Sequence, residues 1–384
     1  MKNSIFESLR LPATDGYEEC LEIAKTRHGV WGNGVFLDCD ASVFGTYASR
    51  VASLVPQLSS NPINALYVYF LAELIRRDSS AGIRLFSRPR EDEHSELYDS
   101  LPLFSIALCI PDMVAELRRR GVPEDVVSST VGMLENQIGD FVELNGHVGI
   151  SAYVGWMTGF LTCRMIRVGR FNLEMRKYTE KYDILRHGSA LVPVSTGDTF
   201  HRSGRILGSA GCECTDGSFT TPYRFTDESF CGCVADGRFC SSEPTEFSVA
   251  DGWELALTAG DPIVSVHIPT GGPLTPEICD ADLARGGDII RRHFGEFKAY
   301  YCSSWLLDPQ IKELLGKETN LTAFADRFTR FPIRSNGEAV YEYVWSLQHP
   351  LPAEELSEHT SFAKAIKRHL LSGGRIYGAA GVFI

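Results

Sequence analysis

Residues Asp261–Glu277 read DPIVSVHIPTGGPLTPE and decide the fold of the second half of the chain. The β-branched residues that begin at Ile263 predict a strand, and the prolines and glycines of Pro269–Leu274 bring that strand to an end. The Thr-Pro-Glu that follows is typical of a helix start, so a helix is predicted to about His293. A strand, a glycine-rich loop and a capped helix in this order predict a βα unit.

The loop of this unit is a candidate phosphate site. Gly271 and Gly272 permit close approach of a ligand to the backbone, and the open amides of a helix that starts at Thr275 attract anions. An ordinary βα connection has the same pattern, so both interpretations stay open at this point. Neither a P-loop lysine nor a Gly-x-Gly-x-x-Gly motif accompanies the loop, which disfavours nucleotide hydrolysis and Rossmann-type hydride transfer.

Further strands and helices are predicted on both sides of the unit. The alternating polar and apolar residues of Arg170–Arg176 predict a strand with one wet face, and Asp-Gly turn dipeptides indicate a β-rich chain from there to about residue 268. Downstream, Lys298–Leu307 predicts a second apolar strand. Ser361–Leu371 predicts a closing helix, and Ile376–Ile384 a terminal strand.

The first 145 or so residues have helical spacing throughout. We therefore predict an all-helical domain at residues 1–147 and an α/β domain at residues 148–384, the second of which begins with a helix. The predicted helices of this part of the chain are Tyr17–Arg27, Asn61–Arg77, Leu101–Arg120, Val122–Glu143 and Ile150–Ile166.

Composition and charge exclude several classes of protein. The 384 residues are 44% hydrophobic and 22% charged, as in soluble globular proteins. A formal net charge of −12 repels phosphate backbones and disfavours a nucleic-acid partner. The apolar stretches are interrupted, or are shorter than the ~20 residues of a membrane helix, and the N-terminus shows no apolar signal segment. We expect a cytoplasmic protein with no membrane partner, whose 11 cysteines are mostly reduced. The sequence does not indicate the oligomeric state.

Four segments carry a family resemblance. Val266–Pro269 together with Gly272–Leu274 resembles the His-Ile-Pro and Gly-Pro-Leu signature of bacterial acyltransferase-domain proteins, which join a helical N-acyltransferase N-terminal domain to a GNAT-like C-terminal domain. Arg167–Glu174 resembles the Arg-Leu-Gly-Arg-Leu-Gln-Phe element of that family, and Cys302–Pro309 resembles its Ser-Trp-Leu-Leu-x-Pro element. Thr360–Arg375 resembles its closing helix and glycine turn. The resemblance covers nearly the whole chain in the same order.

The resemblance implies an α+β fold class, in which the all-helical N-terminal domain precedes a GNAT-like mixed α/β domain with a largely antiparallel sheet. In that superfamily the pantetheine arm of an acyl-CoA lies between two strands that separate, which would here be 261–268 and 298–307. Acetyl-CoA or another acyl-CoA would be the co-substrate, and the acceptor would be a small-molecule or peptide amine. The cofactor-binding residues implied are Ile268, Thr270, Gly271, Gly272, Leu274 and Thr275.

Acyl transfer from a thioester to an amine needs a base for the ammonium group, an oxyanion donor and an acid for the leaving thiolate. His267 is the candidate base because histidine changes charge near neutral pH. The end of the second strand supplies possible acids or thiol neighbours, Tyr301, Cys302, Ser303 and Ser304, of which Ser303 and Cys302 are catalytic candidates. Glu174 is also a candidate and faces either water or a cleft. Three of the candidates have a structural alternative. His267 could hold strand-end backbone, Cys302 could pack in the core, and Glu174 could be a solvated carboxylate.

Two hypotheses of other classes stay open. The pairs Cys212-x-Cys214 and Cys231-x-Cys233, with Cys240 nearby, could meet as a four-thiolate zinc site in an interaction protein, although zinc is unlikely because such sites usually space their cysteines more widely. The chain could also be a non-catalytic protein that keeps a GNAT fold and binds a ligand without turnover. The leading hypothesis is an acyl-CoA-dependent N-acyltransferase.

Overall fold

A computed structural model describes residues 17–27, 40–60, 62–77, 96–316, 318–347 and 349–384. The chain divides into two compact units between Gly169 and Arg170. This point is later in the chain than the predicted division at residue 147, because the helix that follows that residue packs on the long helix Glu96–Arg119 of the first unit.

The first unit is helical. The predicted helix Val122–Glu143 is two helices that meet at Gly132. The predicted helix Ile150–Ile166 is shorter, because Cys163 takes a positive φ of 54° and the chain then enters a strand. The elements are α1 (Tyr17–Arg27), α2 (Ala48–Ser59), α3 (Pro62–Arg77), α4 (Glu96–Arg119), α5 (Glu124–Val131), α6 (Met133–Asn145), α7 (Val154–Leu161) and β1 (Met165–Val168).

Helix α4 is the core helix of the first unit. By length and composition alone it could cross a membrane, but 67% of its most apolar window is buried within the protein. It packs against α3, and Ser105 Oγ donates to the carbonyl of Val68 at 2.9 Å. Burial against neighbouring helices accounts for its apolar residues, as in the core helix of a soluble protein.

The second unit alternates between strands and helices. Its strands are β2 (Phe171–Lys177), β3 (Tyr182–His187), β4 (Ala190–Ser195), β5 (Thr199–Phe200), β6 (Phe219–Thr220), β7 (Tyr223–Phe225), β8 (Ser229–Ala235), β9 (Cys240–Ser248), β10 (Glu254–Leu257), β11 (Pro262–His267), β12 (Ala299–Ser304), β13 (Thr329–Pro332) and β14 (Ala379–Phe383). Its helices are α8 (Pro276–His293), α9 (Gln310–Leu315), α10 (Asn320–Ala325), α11 (Ala339–Trp345) and α12 (Ser361–Leu371).

Two sheets organise this unit. Within it, the first sheet has the strand order β2-β11-β12-β14-β13, and every neighbouring pair is antiparallel except β11 and β12, which are parallel. The second sheet has the order β10-β3-β4-β8-β7, with β9 also paired to β8. A helical N-terminal region followed by a mixed, largely antiparallel sheet confirms the predicted fold class.

The two faces of the first sheet have different neighbours. Ile263, Tyr301 and Phe331 point into a core that also contains Tyr182 of the second sheet, and the rings of Tyr182 and Phe331 are 4.6 Å apart. We call this side the inner face. The opposite side packs on helices, since the hydroxyl of Tyr300 donates to a carbonyl of α8 at 2.6 Å. We call this side the helix face.

Candidate functional site

Strands β11 and β12 pair over only part of their length. Their register runs from Ile263–Ala299 to Ser265–Tyr301 and then stops. Both strands nevertheless continue, because β11 stays paired with β2 as far as His267 and β12 stays paired with β14 as far as Ser304. The two strands therefore cease to pair at their carboxyl ends, as the family resemblance implies, and we call the unpaired stretch between them the slot.

The main chain of β11 supplies polar groups to this slot. Lys298 donates its amide to the carbonyl of Pro262 at 2.9 Å, so Pro262 faces β12. Alternate residues of an extended strand direct their N–H and C=O groups to the same edge. Val264 and Val266 therefore also face β12, and Val266 lies beyond the last paired residue. Its amide belongs to the last rung of the ladder, and its carbonyl points into the slot.

The loop after β11 presents open backbone amides. Gly271 has a φ of +130°, and an added Cβ at either Gly271 or Gly272 would meet nothing within 4 Å. The amides of Gly271, Gly272 and Leu274 donate to none of the described residues, while the buried side chain of Leu274 anchors the loop. Thr275 caps α8 by accepting from the amide of Ile278 at 3.4 Å. Pro269 and Pro273 remove two donors, but the remaining amides lie at the positive end of a helix.

Arg170 holds this loop in place. Its Nε donates to the carbonyl of Gly272 at 2.7 Å and its Nη1 donates to the carbonyl of Pro269. Its own amide donates to Asp282 Oδ2 on α8 at 2.7 Å, and burial lowers the pKa of its guanidinium. Because Arg170 bonds two carbonyls of the loop, it fixes the loop without using the amides of Gly271, Gly272 and Leu274. Arg170 belongs to the segment Arg167–Glu174 that resembles the family, but its place in the sequence did not indicate a role at the site.

His267 and Glu174 come together on the inner face. His267 Nε2 lies 3.1 Å from Glu174 Oε2, and their side chains are 26% and 15% exposed. They meet because the antiparallel register places Ser265 opposite Glu174 and His267 two residues further on, where diagonal neighbours share a face. When the ring donates Nε2–H to the carboxylate, Nδ1 is the basic nitrogen of the neutral imidazole. The carboxylate also stabilises the imidazolium that forms when Nδ1 takes a proton.

The two candidates on β12 have different surroundings. Ser303 is exposed and alternates with Tyr301, so it lies on the inner face across the slot from His267. Cys302 points to the helix face and is 2% exposed. Burial raises the pKa of its thiol to about 12, so Cys302 is a neutral core side chain at neutral pH. The structure does not bring Cys302 to the His267–Glu174 pair.

Tyr301, one of the possible acids on β12, forms a second polar group on the inner face. Its hydroxyl donates to Glu180 Oε1 at 2.6 Å, and the guanidinium carbon of Arg176 lies 5.3 Å from the centre of its ring. Burial, followed by the charge of Glu180, raises the pKa of Tyr301. The alternation of the Arg170–Arg176 strand indicated that Glu174 and Arg176 share one face, but not that Tyr301 lies beside them.

The cysteine pattern does not form a metal site in the part of the chain that the structure describes. No group of three or more His, Cys, Asp or Glu side chains there is placed to hold a metal ion. Cys233 and Cys240 pack in the core between the two sheets, and burial raises the pKa of Cys240 to about 12. Cys214 is exposed in a loop. The structure does not bring the four thiols of the hypothesis together.

Family models match most of the chain. A model described as the N-acyltransferase N-terminal domain matches residues 46–163, and a model described as the GNAT-like C-terminal domain matches residues 165–383. The junction of the two models falls close to the division between the compact units. Curated proteins offer no match to this chain.

Solved structures of acyltransferases share the fold. A crystal structure of an acyltransferase in complex with decanoyl-CoA matches with a TM-score of 0.62 and 17% identity, over 99% of this chain and 98% of the other. A structure of an acyltransferase with decanoyl-CoA and teicoplanin matches at 0.63, with the same identity and coverage. An acyltransferase with CoA and 10C-teicoplanin matches at 0.62, again at 17% identity with 99% and 98% coverage.

The fold, the strand separation and the two family models agree over nearly the full length of the sequence. The C-terminal model alone covers more than half of the chain. The chain belongs to the family of proteins that join an N-acyltransferase N-terminal domain to a GNAT-like C-terminal domain.

Proposed function

We propose that this chain is an acyl-CoA-dependent N-acyltransferase that acylates the amine of a small molecule or peptide. The observation that carries the proposal is the separation of β11 and β12 directly beside two complementary features. One is the loop with open amides at the start of α8, and the other is the His267–Glu174 pair on the inner face. Together they supply a place for a thioester arm, a diphosphate and a base.

The donor would be held mainly by the backbone. The carbonyl of Val266 offers a hydrogen bond to a peptide-like N–H group of a pantetheine arm in the slot, as a neighbouring strand would. The amides of Gly271, Gly272 and Leu274, with the helix N-terminus, suit a diphosphate without a lysine or arginine. This arrangement explains how a protein with a net charge of −12 can accept an anionic donor.

The chemistry follows from the position of His267. The amine nitrogen of the acceptor attacks the thioester carbonyl, so a C–N bond forms and the C–S bond breaks, with the electron pair leaving on the CoA sulfur. His267 Nδ1 accepts the proton released by the amine, and Glu174 stabilises the resulting imidazolium at 3.1 Å. The imidazolium then returns the proton to the thiolate, which leaves as free CoA thiol.

The length of the acyl chain is part of the proposal. Structures with the same fold hold decanoyl-CoA and CoA, which supports testing medium-chain donors as well as acetyl-CoA. One of them also holds teicoplanin, a glycopeptide. We therefore propose a donor between acetyl-CoA and decanoyl-CoA and an amine-bearing acceptor.

Binding of the donor is expected to raise the melting temperature of the protein. A ligand that binds only the native state at 100 times its Kd stabilises it by about 2.7 kcal/mol, which corresponds to a shift of several degrees. Differential scanning fluorimetry with acetyl-, octanoyl- and decanoyl-CoA measures this. Adenosine 3′-phosphate 5′-diphosphate is the matched control, because it keeps the diphosphate and lacks the acylated pantetheine arm. Equal melting temperatures with and without every acyl-CoA would contradict the proposal.

Replacing Arg170 by glutamine is expected to weaken acyl-CoA binding about tenfold, because two hydrogen bonds that fix the loop are lost. Isothermal titration calorimetry measures the change in Kd. Arg224→Gln is the matched control, since Arg224 lies on the second sheet in an exposed ion pair. An Arg170→Gln variant that binds acyl-CoA as tightly as the wild type would show that the loop keeps its shape without this residue.

A further inference from the structure

Three arginines converge on one loop of the second unit, Gly204–Cys212. The guanidinium carbon of Arg205 stacks 3.7 Å from the ring centre of Tyr377. An added Cβ at Gly208 would lie 3.7 Å from Nε of Arg334, and one at Gly211 would lie 3.6 Å from Nε of Arg375. We call Arg205, Arg334 and Arg375 the arginine cluster.

The loop under the arginine cluster is fixed by hydrogen bonds. The hydroxyl of Tyr377 donates to the carbonyl of Ala210 at 3.0 Å, and the amide of Ala210 donates to the carbonyl of Ser335 at 2.9 Å. Gly208 closes the loop by donating to the carbonyl of Cys212 at 2.9 Å. The cluster is therefore carried on a defined backbone, and stacking on Tyr377 leaves the in-plane N–H groups of Arg205 available to an oxyanion.

The arginine cluster has little compensating charge. Within the described ranges, no ion pair joins Arg205, Arg334 or Arg375 to a carboxylate. Two carboxylates lie nearby. Glu213 is exposed, and its pKa is lowered mainly by the amide of Gly211 and to a smaller extent by Arg375. Asp308 is buried and accepts the amide of Tyr377 at 2.7 Å. Three guanidinium groups against these two carboxylates leave a site of net positive charge on a protein of net charge −12. Like charges held together in this way favour an anionic ligand.

The cluster lies at the same edge of the sheet as the slot. Pro332 and Ser304 both pair with Ala379, so the ends of β12 and β13 flank the start of β14 at one edge of the sheet. Arg334 follows the end of β13, and Tyr377 precedes the start of β14. Phe200, which precedes the loop, and Ile206 within it belong to the core under the inner face. The arginine cluster is thus on the side of the sheet that carries His267 and Glu174.

This placement separates the cluster from the proposed diphosphate site. The loop Pro269–Leu274 leads into α8, which packs on the helix face. An anionic group bound by the arginine cluster would therefore not be the diphosphate of the donor. A guanidinium group binds two oxygens of a carboxylate or phosphate in bidentate fashion, so either group suits the cluster.

We infer that Arg205, Arg334 and Arg375 bind an anionic oxygen group, a carboxylate or a phosphate, of the acyl acceptor. The inference rests on the proposed function, because it assigns the inner face to the acceptor. It narrows the acceptor to an amine that also carries an anionic group some distance from the nitrogen that is acylated.

The first test measures anion binding without turnover. The full chain and its Arg334→Gln/Arg375→Gln variant are titrated by calorimetry with inorganic phosphate and with glutarate at constant ionic strength. Both arginines are exposed, and a wild-type melting temperature shows that the variant is folded. Loss of two charged donors is expected to weaken binding about tenfold or more. Arg292→Gln, an exposed cation on α8, should bind as the wild type does.

The two probes also distinguish the chemistry of the ligand. Tighter binding of glutarate indicates a carboxylate, and tighter binding of phosphate indicates a phosphoryl group. Equal affinities of wild type and double variant for both anions would overturn the inference, as would a wild type that binds neither anion.

The second test separates this inference from the proposed function. Release of CoA thiol is measured with pairs of amines that differ only in a free carboxylate or a carboxamide. The double variant is expected to raise the KM about tenfold for the carboxylate member alone, with the KM for acyl-CoA unchanged. If anion binding depends on the arginines but no acyl transfer occurs, the proposed transferase function is refuted and the anion site stands. If acyl transfer occurs with no preference for anionic amines, the anion site is refuted and the proposed transferase function stands.

Discussion

Replacing His267 by alanine is expected to lower the rate of acyl transfer by about 10²- to 10⁴-fold, the range for loss of a general base. The expectation comes from the 3.1 Å contact with Glu174 and from the position of His267 at the end of β11, where pairing with β12 has stopped. The affinity for acyl-CoA should change little, since the donor is held by backbone groups and by the loop. Thiol release at saturating donor gives kcat, and calorimetry gives the Kd of acyl-CoA.

Two further variants make the result specific. Glu174→Gln keeps the shape of the carboxylate but cannot stabilise the imidazolium by charge, so it should lower kcat by less than His267→Ala does. The double variant should be no slower than His267→Ala alone if the two residues act as a unit. His359→Ala, an exposed histidine, is the matched control. Wild-type turnover in His267→Ala would remove this residue from the mechanism.

Replacing Phe331 by alanine is expected to lower the free energy of unfolding of the second unit by about 3–5 kcal/mol, because it leaves a cavity where an aromatic ring was fully buried. Phe331 has no exposed surface and lies 4.6 Å from the ring of Tyr182, in the core that joins the two sheets. Urea denaturation followed by intrinsic fluorescence measures the change. Since this core supports the inner face, acyl transfer should fall as well.

The matched control for Phe331 is Phe225→Ala. Phe225 loses the same atoms but is 54% exposed, so the loss should be about 1 kcal/mol or less. If the two variants lost similar free energies of unfolding, Phe331 in the core between the sheets would stabilise the fold no more than an exposed ring does.

Local signals in the sequence predicted several elements well. The limits of α1 and α12 are those expected, and α8 runs from the proline after Thr275 to His293 as predicted. In each case the signal is local. A capping residue accepts a bond from an amide three residues later in α8 and α12, and apolar residues recur at helical spacing. Helices whose ends carry such signals can be predicted without information from the rest of the chain.

The contacts that build the site were not predictable in this way. His267 and Glu174 were named as separate candidates, but they are 93 positions apart and meet only because β2 pairs with β11 in one register. A shift of that register by one residue would place Glu174 on the other face. The two bonds from Arg170 to the loop span about a hundred positions and have no local signal.

Spacing misled the interpretation of the cysteines for a related reason. Cys231 and Cys233 do share a face of β8, as alternation predicts. However, β8 pairs with β4, β7 and β9, and Cys212 belongs to the loop under the arginine cluster. Which pairs meet is decided by the order of strands in the sheet, and spacing within each pair contains no information about it.

The slot beside β11 is bordered by peptide groups, and peptide groups are the same for every amino acid except proline. Mutations along this strand can therefore accumulate without loss of the donor, provided that the two strands still diverge. The groups that would face the acceptor are side chains, and a mutation of such a residue alters them. Over evolutionary time a protein with the proposed function is free to change its acceptor while it keeps acyl-CoA as its donor.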